Sequence, residues 1–389
     1  MGAVPAWLTR AVAAEGKRRK TLVVVFQRGA ADGLNIVIPF ADPGYKALRP
    51  TLAIPAPVAG LNQSFDLDGT FALHGAMQPL KDLWDKQQLA IVEATGSPDS
   101  SRSHFDAQDF MESGTSSERL GDGWLNRALP ENGGETAGLR AVSIGNQLPR
   151  TLRGSRDAIA VNASMEANDA NRDATAVMEA MYSTSKDPQW GPAGKNAFAA
   201  LKLMRSIAKA QAPAPQRTTF ALDPGGNFGR ALNQLATLIK ADAGVEAAFV
   251  EIPGWDHHSN ESQQLQNILR QFSAGLADFY KSLGDRMEDV VVVTMSEFGR
   301  TAAENGNAGT DHGHGSLMFV MGGPVAGGKI YGQWPGLAKE QLFEGRDLAV
   351  TTDYRSVLAE LLRGHLGQQD MRTVFPGFSP AGPLGLLKA

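Results

Sequence analysis

The chain has 389 residues, 42% of them hydrophobic and 20% charged, with a formal net charge of −4. These numbers suit one large domain with insertions, or two domains, and leave no electrostatic footprint for nucleic acid. The absence of cysteine excludes disulfides, thiolate metal ligands and a cysteine nucleophile, and no run approaches the roughly 18 apolar residues of a membrane span.

Residues 1–20 form an N-terminal extension that closes with Lys17-Arg18-Arg19-Lys20. The apolar run behind the arginine pair is too short for an export leader. Residues 21–27 read instead as a strand, β-branched and buried on both faces. It ends in Arg28-Gly29-Ala30-Ala31-Asp32-Gly33, a loop whose glycines permit a tight turn. The spacing of Met77, Leu80, Leu83 and Trp84 predicts a helix over 76–85, and 89–94 is a second apolar strand. A polar loop, 96–103, leads to a helix over 104–112, and 139–144 is strand-like. From 151 to 243 Ala, Asn, Asp, Met and Lys dominate, with helical spacing over 197–207 and 228–239 and a break at Pro213-Ala214-Pro215. We read this stretch as a helical insertion or cap. Strand patterns resume at 245–252, 290–296 and 317–321, with a long amphipathic helix around 264–283 between the first two. A last helix spans 351–366, with Asp353 in its first turn, where it suits the dipole. The alternation predicts an α/β fold: a three-layer sandwich with a mostly parallel central sheet, in a single domain over 21–389.

Five of the seven histidines lie within three residues of an aspartate. Asp and neutral His are common ligands of zinc and related metals. The densest grouping is Thr310-Asp311-His312-Gly313-His314-Gly315, soon after the 290–296 strand. Side chains alternate along an extended loop, so His312 and His314 would face one way and Asp311 the other. That arrangement caps one metal with two imidazoles or divides the ligands between two ions about 4 Å apart. In Trp255-Asp256-His257-His258-Ser259-Asn260, Asp256 and His258 can converge on one ion while His257 points away. A third grouping, Ser101-Arg102-Ser103-His104-Phe105-Asp106, opens a helix. Helix N-termini cradle phosphate or sulfate oxygens. Ser103 near a metal can attack phosphorus or sulfur, Arg102 can hold the anion in fork geometry, and His104 stands beside them; the alternative for Ser103 is a plain N-cap. Asp32 and Glu297 are further candidate ligands, each equally a turn residue or a salt-bridge partner. His74 precedes a helix that it can cap. His365 lies in the last turn of the final helix, where a cation is favoured, and receives no catalytic role.

Six ordered segments carry a resemblance: Phe26 to Asn35, Ser101 to Gln108, Gly254 to Asn260, Ser296 to Thr301, Thr310 to Gly315 and Thr352 to Ser356. Together they resemble the domain-of-unknown-function family 1501, which is grouped with the alkaline phosphatase and sulfatase superfamily, and the likeness runs from residue 21 to about 367. The resemblance implies an alkaline phosphatase-like fold and a metal-dependent hydrolase of a phosphate or sulfate ester. It implies Ser103 as nucleophile, Asp256 and His258 as ligands of one metal with His314 completing it, and Asp311 and His312 as ligands of a second. It also implies a bacterial protein, periplasmic or secreted, with twin-arginine export. Zinc is favoured by the histidine count, with one or two ions, while Mn, Ca or Mg suit the carboxylates. The expected partner is a small anionic ester, with no nucleic acid and no membrane span. The rival expectation is a superfamily member without turnover, exported as a binding or assembly partner.

Overall fold

The computed structural model describes residues 18–130, 139–161 and 225–388, together with residues 180, 181, 184, 198, 202 and 206. Most of residues 1–20, the break at 213–215 and most of the expected 197–207 helix lie outside the described residues. In chain order the strands are β1 (Thr21–Arg28), β2 (Val37–Ile38), β3 (Ser64–Asp66), β4 (Ala72–His74), β5 (Leu89–Gly96), β6 (Ala141–Ile144), β7 (Ile159–Val161), β8 (Ala247–Pro253), β9 (Val290–Met295), β10 (Ser316–Gly322), β11 (Ile330–Tyr331) and β12 (Thr352–Asp353). Among the described residues the main sheet has nine strands, in the order β11-β5-β10-β9-β1-β8-β6-β7, with β12 paired to the end of β5. A small antiparallel sheet, β2-β4-β3, has strands too short to show a period in the sequence.

β1 lies in the middle because its sequence tolerates no water on either side. Leu22 to Phe26 are fully buried. Val23 and Val25 enter one core, and Leu22, Val24 and Phe26 enter the other. Helices α1 (Gln78–Asp85), α4 (Gly226–Lys240) and α5 (Glu261–Leu283) cover the first face. Helices α2 (His104–Ser113), α3 (Trp124–Ala128), α6 (Tyr354–Leu361) and α7 (Met371–Val374) cover the second. The result is the three-layer α/β sandwich that the alternation of elements predicts.

One strand sets the location of the site. Neighbours in the main sheet are parallel except for β10, which runs antiparallel to both β9 and β5. The C-terminal ends of β1, β5, β8 and β9 therefore share an edge with the N-terminal end of β10. All the chemistry-bearing segments open onto that edge, where open α/β sheets bind ligands.

The expectation for the final helix needs revision. In place of one helix over 351–366, β12 is followed by α6 and a π-helical turn, Leu362–Leu366, with Asp353 as an N-cap whose carboxylate accepts from the Arg355 N–H. His365, in that turn, is not a dipole-paired cation. It is buried, its Nε2 faces the Thr21 carbonyl at 3.0 Å, and burial lowers its pKa to about 4. Within 151–243, β7 extends the main sheet and α4 packs on its first face. Among the described residues, no helix is long and apolar enough to cross a membrane.

Candidate metal centre

α2 starts immediately after the loop from β5, so His104 enters the site from a rigid helix. Its Nδ1 lies 2.8 Å from Oε1 of Glu297, which ends the β9 segment. That oxygen also accepts from Gln108 Nε2 at 2.8 Å and from the Gly29 N–H at 2.9 Å. Gly29 has φ +119°, and a Cβ there would collide with the Asp256 backbone, so only glycine lets the β1 loop come this close. Burial opposes the charge on Glu297, but the bonds from His104, Gln108 and the backbone hold its pKa below the usual value. The Glu297 bond is in turn the main reason the His104 pKa is raised.

The 310–315 loop returns alongside the segment that follows β9. Gly313 donates to the Gly299 carbonyl and Gly299 to the His314 carbonyl, both at 2.9 Å. A Cβ on Gly313 would strike the Arg300 carbonyl. This close pairing turns His312 inward, where its Nδ1 meets the Arg102 carbonyl at 2.9 Å. Burial lowers the His312 pKa. His258, from the loop after β8, points its Nδ1 at Asp311 Oδ1, 3.0 Å away, and that bond lowers the Asp311 pKa.

Each of these three imidazoles thus has Nδ1 on a carboxylate or a carbonyl. Both partners only accept, so a neutral ring with its proton on Nδ1 satisfies them and presents Nε2 as a bare lone pair. The three Nε2 atoms converge with Asp256. His104 Nε2 is 3.1 Å from His312 Nε2 and 3.4 Å from Asp256 Oδ2. His258 Nε2 is 3.0 Å from His312 Nε2 and 2.9 Å from Asp256 Oδ1, which is 3.2 Å from His312 Nε2. His104, Asp256 and His312 offer ligand atoms that all lie within 4.8 Å of one another.

Acceptors gathered at these distances repel unless a proton or a cation lies among them. Ligand atoms about 2.0–2.1 Å from a tetrahedral zinc stand about 3.3–3.4 Å apart, close to the spacings here. The Nδ1 contacts also match the outer hydrogen bonds by which metal-binding imidazoles are oriented. The donor set fits a divalent cation. Arg300, buried, donates from Nη1 to Asp256 Oδ1 at 2.6 Å. Burial works against the Asp256 charge, but Arg300, His258 and His312 outweigh it and its pKa falls.

Of the residues singled out in the sequence, the structure brings His104, Asp256, His258 and His312 together, with Asp311 and Glu297 holding two of the rings from behind. It does not bring Asp32 there. That carboxylate is 2% exposed and paired with Arg49 at 2.5 and 2.8 Å, while Arg49 also holds the carbonyls of Thr301 and Ala302. His314 turns away and stacks on Phe343 at 4.3 Å, because the paired loop is not the free extended strand that alternation assumes. The Arg102 guanidinium is committed to Asp347 at 2.6 and 3.0 Å and to Glu344 at 2.6 Å. Ser103 is the N-cap residue of α2, yet its hydroxyl makes no capping bond. His257 is buried, and burial lowers its pKa. Arg300 and Thr310 escaped notice as functional residues, although both stand inside the motifs; Glu261, buried at the start of α5, gave no signal at all.

The family model described as protein of unknown function (DUF1501) matches residues 19–374. The chain belongs to the DUF1501 family. No curated protein sequence matches this DUF1501 chain. Among solved structures it is similar to the C-terminal periplasmic domain of EcEptC from Escherichia coli in complex with Zn, at 11% identity over 79% of this chain and 74% of that one, TM-score 0.36. It is similar to an alkaline phosphatase from the Antarctic bacterium TAB5, at 10% identity over 79% and 93%, TM-score 0.34. It is also similar to the PsFucS1 sulfatase from Pseudoalteromonas sp., at 11% identity over 100% and 78%, TM-score 0.39.

Proposed function

We propose that this protein is a metal-dependent hydrolase acting on a small phosphate or sulfate ester, with Ser103 as nucleophile. The observation that carries the reading is the convergence of three bare Nε2 atoms and Asp256 one residue from an N-cap serine whose hydroxyl does not cap. His104, Asp256, His258 and His312 would hold the ion, and the imidazole-rich set favours zinc over magnesium or calcium. A bound divalent ion supplies Lewis acidity, lowering the pKa of a nearby hydroxyl and offsetting charge on ester oxygens.

The chain's own residues do the rest. Glu297, Asp311 and the Arg102 carbonyl fix the three rings in one tautomer. Asp256 and His258 are 42% and 46% exposed, which leaves that side open to a small ester. The first amides of α2, which have no partner within the helix, would donate to an anion's oxygens. They take the anion-holding role expected of Arg102, whose guanidinium is engaged by Asp347 and Glu344. From the N-terminal end of that helix the Ser103 hydroxyl, its proton released to solvent, would bond to the central phosphorus or sulfur as the bond to the ester oxygen breaks and the alcohol leaves with a proton from water. A water molecule would then cleave the serine ester and release phosphate or sulfate.

The test is hydrolysis of an aryl phosphate and an aryl sulfate by zinc-loaded protein. Turnover of either ester, lost in Ser103→Ala at unchanged metal content, supports the reading. No turnover of either, or equal turnover in the variant, contradicts it. No turnover by either protein would favour a member of the fold that binds metal without catalysis, the reading for which the engaged Arg102 side chain speaks; equal turnover would mean catalysis by another nucleophile.

A further inference from the structure

Behind Asp256 runs a line of buried polar side chains that holding an ion does not itself require. Arg300 donates from Nη1 to Asp256 Oδ1 at 2.6 Å and from Nε to the Thr310 hydroxyl at 3.1 Å, and its Nη2 meets the Thr310 carbonyl. A guanidinium can only donate, so the Thr310 hydroxyl accepts from it and must spend its own proton elsewhere. It donates to Glu261 Oε2 at 2.7 Å. The direction of every bond in the line is therefore fixed. Arg300, Thr310 and Glu261 are all at most 2% exposed.

Glu261 is the first residue of α5, a 23-residue helix packed on the sheet, so the far end of the line stands on an element anchored in the core. Its Oε1 is buried and meets no donor, and the Asp32 carboxylate lies beside it. Asp32 keeps its charge through Arg49. Burial, and then Asp32, raise the Glu261 pKa, so Glu261 takes the shared proton and adds no second negative charge.

We propose that Thr310 and Glu261 are positioning residues for Asp256. Through Arg300 they fix the angle at which that carboxylate faces the three imidazoles, and so set the affinity of the centre for a divalent cation. The proposal rests on the metal-centre reading above but not on Ser103 or on any turnover. Outer hydrogen-bond partners of this kind change metal affinity by about 10- to 100-fold.

The experiment is zinc affinity by competition with a chromogenic chelator, on full-length wild type, Thr310→Val, Thr310→Ser and Glu261→Gln, with near-ultraviolet dichroism to show that each is folded. Valine keeps the shape and loses the hydroxyl; serine keeps the hydroxyl and loses the methyl. The expected result is an affinity about tenfold or more weaker in Thr310→Val, with Thr310→Ser and Glu261→Gln near wild type, since glutamine copies a neutral acid. Thr310→Val binding as tightly as wild type, or Thr310→Ser losing as much as Thr310→Val, overturns the proposal and leaves the metal centre standing. A wild type that binds no zinc overturns both.

Discussion

Asp32 and Asp256 stand in the loops after two neighbouring strands, β1 and β8, and each faces an arginine. The Asp32 pair is closed: both oxygens are taken by Arg49, at 2.5 and 2.8 Å, and neither side chain is more than 2% exposed. The Asp256 pair is open. Arg300 takes one oxygen at 2.6 Å, the carboxylate is 42% exposed, and three imidazoles turn bare nitrogens towards it. Identical residue types thus build a loop in one place and a candidate cation site in the other. What separates them is whether every lone pair already has a donor.

The contrast can be broken most severely at the closed pair. Arg49→Ala leaves a buried carboxylate without its partner and frees two carbonyls, and should cost about 3–5 kcal/mol in denaturant unfolding. A cost below about 1 kcal/mol, the range of exposed pairs, would show that the pair is not buried as described. Acid gives the next effect. His74 and His365 are buried away from the cluster, and burial lowers both pKa values from 6.5 to about 4. The unfolded chain binds more protons than the folded one between these values, so the stabilisation is complete above about pH 6.5 and is lost as pH falls towards 4. Each contributes at most about 3 kcal/mol. Unfolding midpoints from pH 4 to 8 should show that slope, and His74→Gln with His365→Gln should flatten it; an unchanged slope in the double variant refutes the assignment.

Zinc at 100 times its dissociation constant should add about 2.7 kcal/mol to the unfolding free energy of wild type, and nothing in His312→Ala. The smallest effect belongs to Ser103. Because its hydroxyl does not cap α2, Ser103→Ala should cost less than the ~1 kcal/mol typical of a working N-cap. A larger loss would show that the serine is structural.

The strands and helices that frame the site were legible because burial writes itself into the sequence. Leu22 to Phe26 and Val290 to Val293 are apolar on both faces, and Phe228, Leu232, Leu235 and Ile239 recur at helical spacing. His312 and Asp256 were legible for a different reason, as ligand types beside strand ends. His314 was misplaced because alternation presumes an extended chain, whereas Gly313 packs against the Arg300 carbonyl and the loop pairs with residues 299–301. The partnership of Asp32 with Arg49 could not be read, since it joins loops 17 residues apart through contacts that only the packed sheet creates. Glu261 was hidden for the same reason: one acid at the start of an amphipathic helix looks like any helix-dipole charge.

Metal content tests the central claim most directly. Wild type and His312→Ala would be loaded with zinc, dialysed and assayed by elemental analysis. The structure predicts zinc retained in proportion to wild-type chain and absent from the variant, with both proteins folded. Wild type that retains no zinc, or a variant that retains as much, would contradict the assignment of His104, Asp256, His258 and His312 as a metal centre.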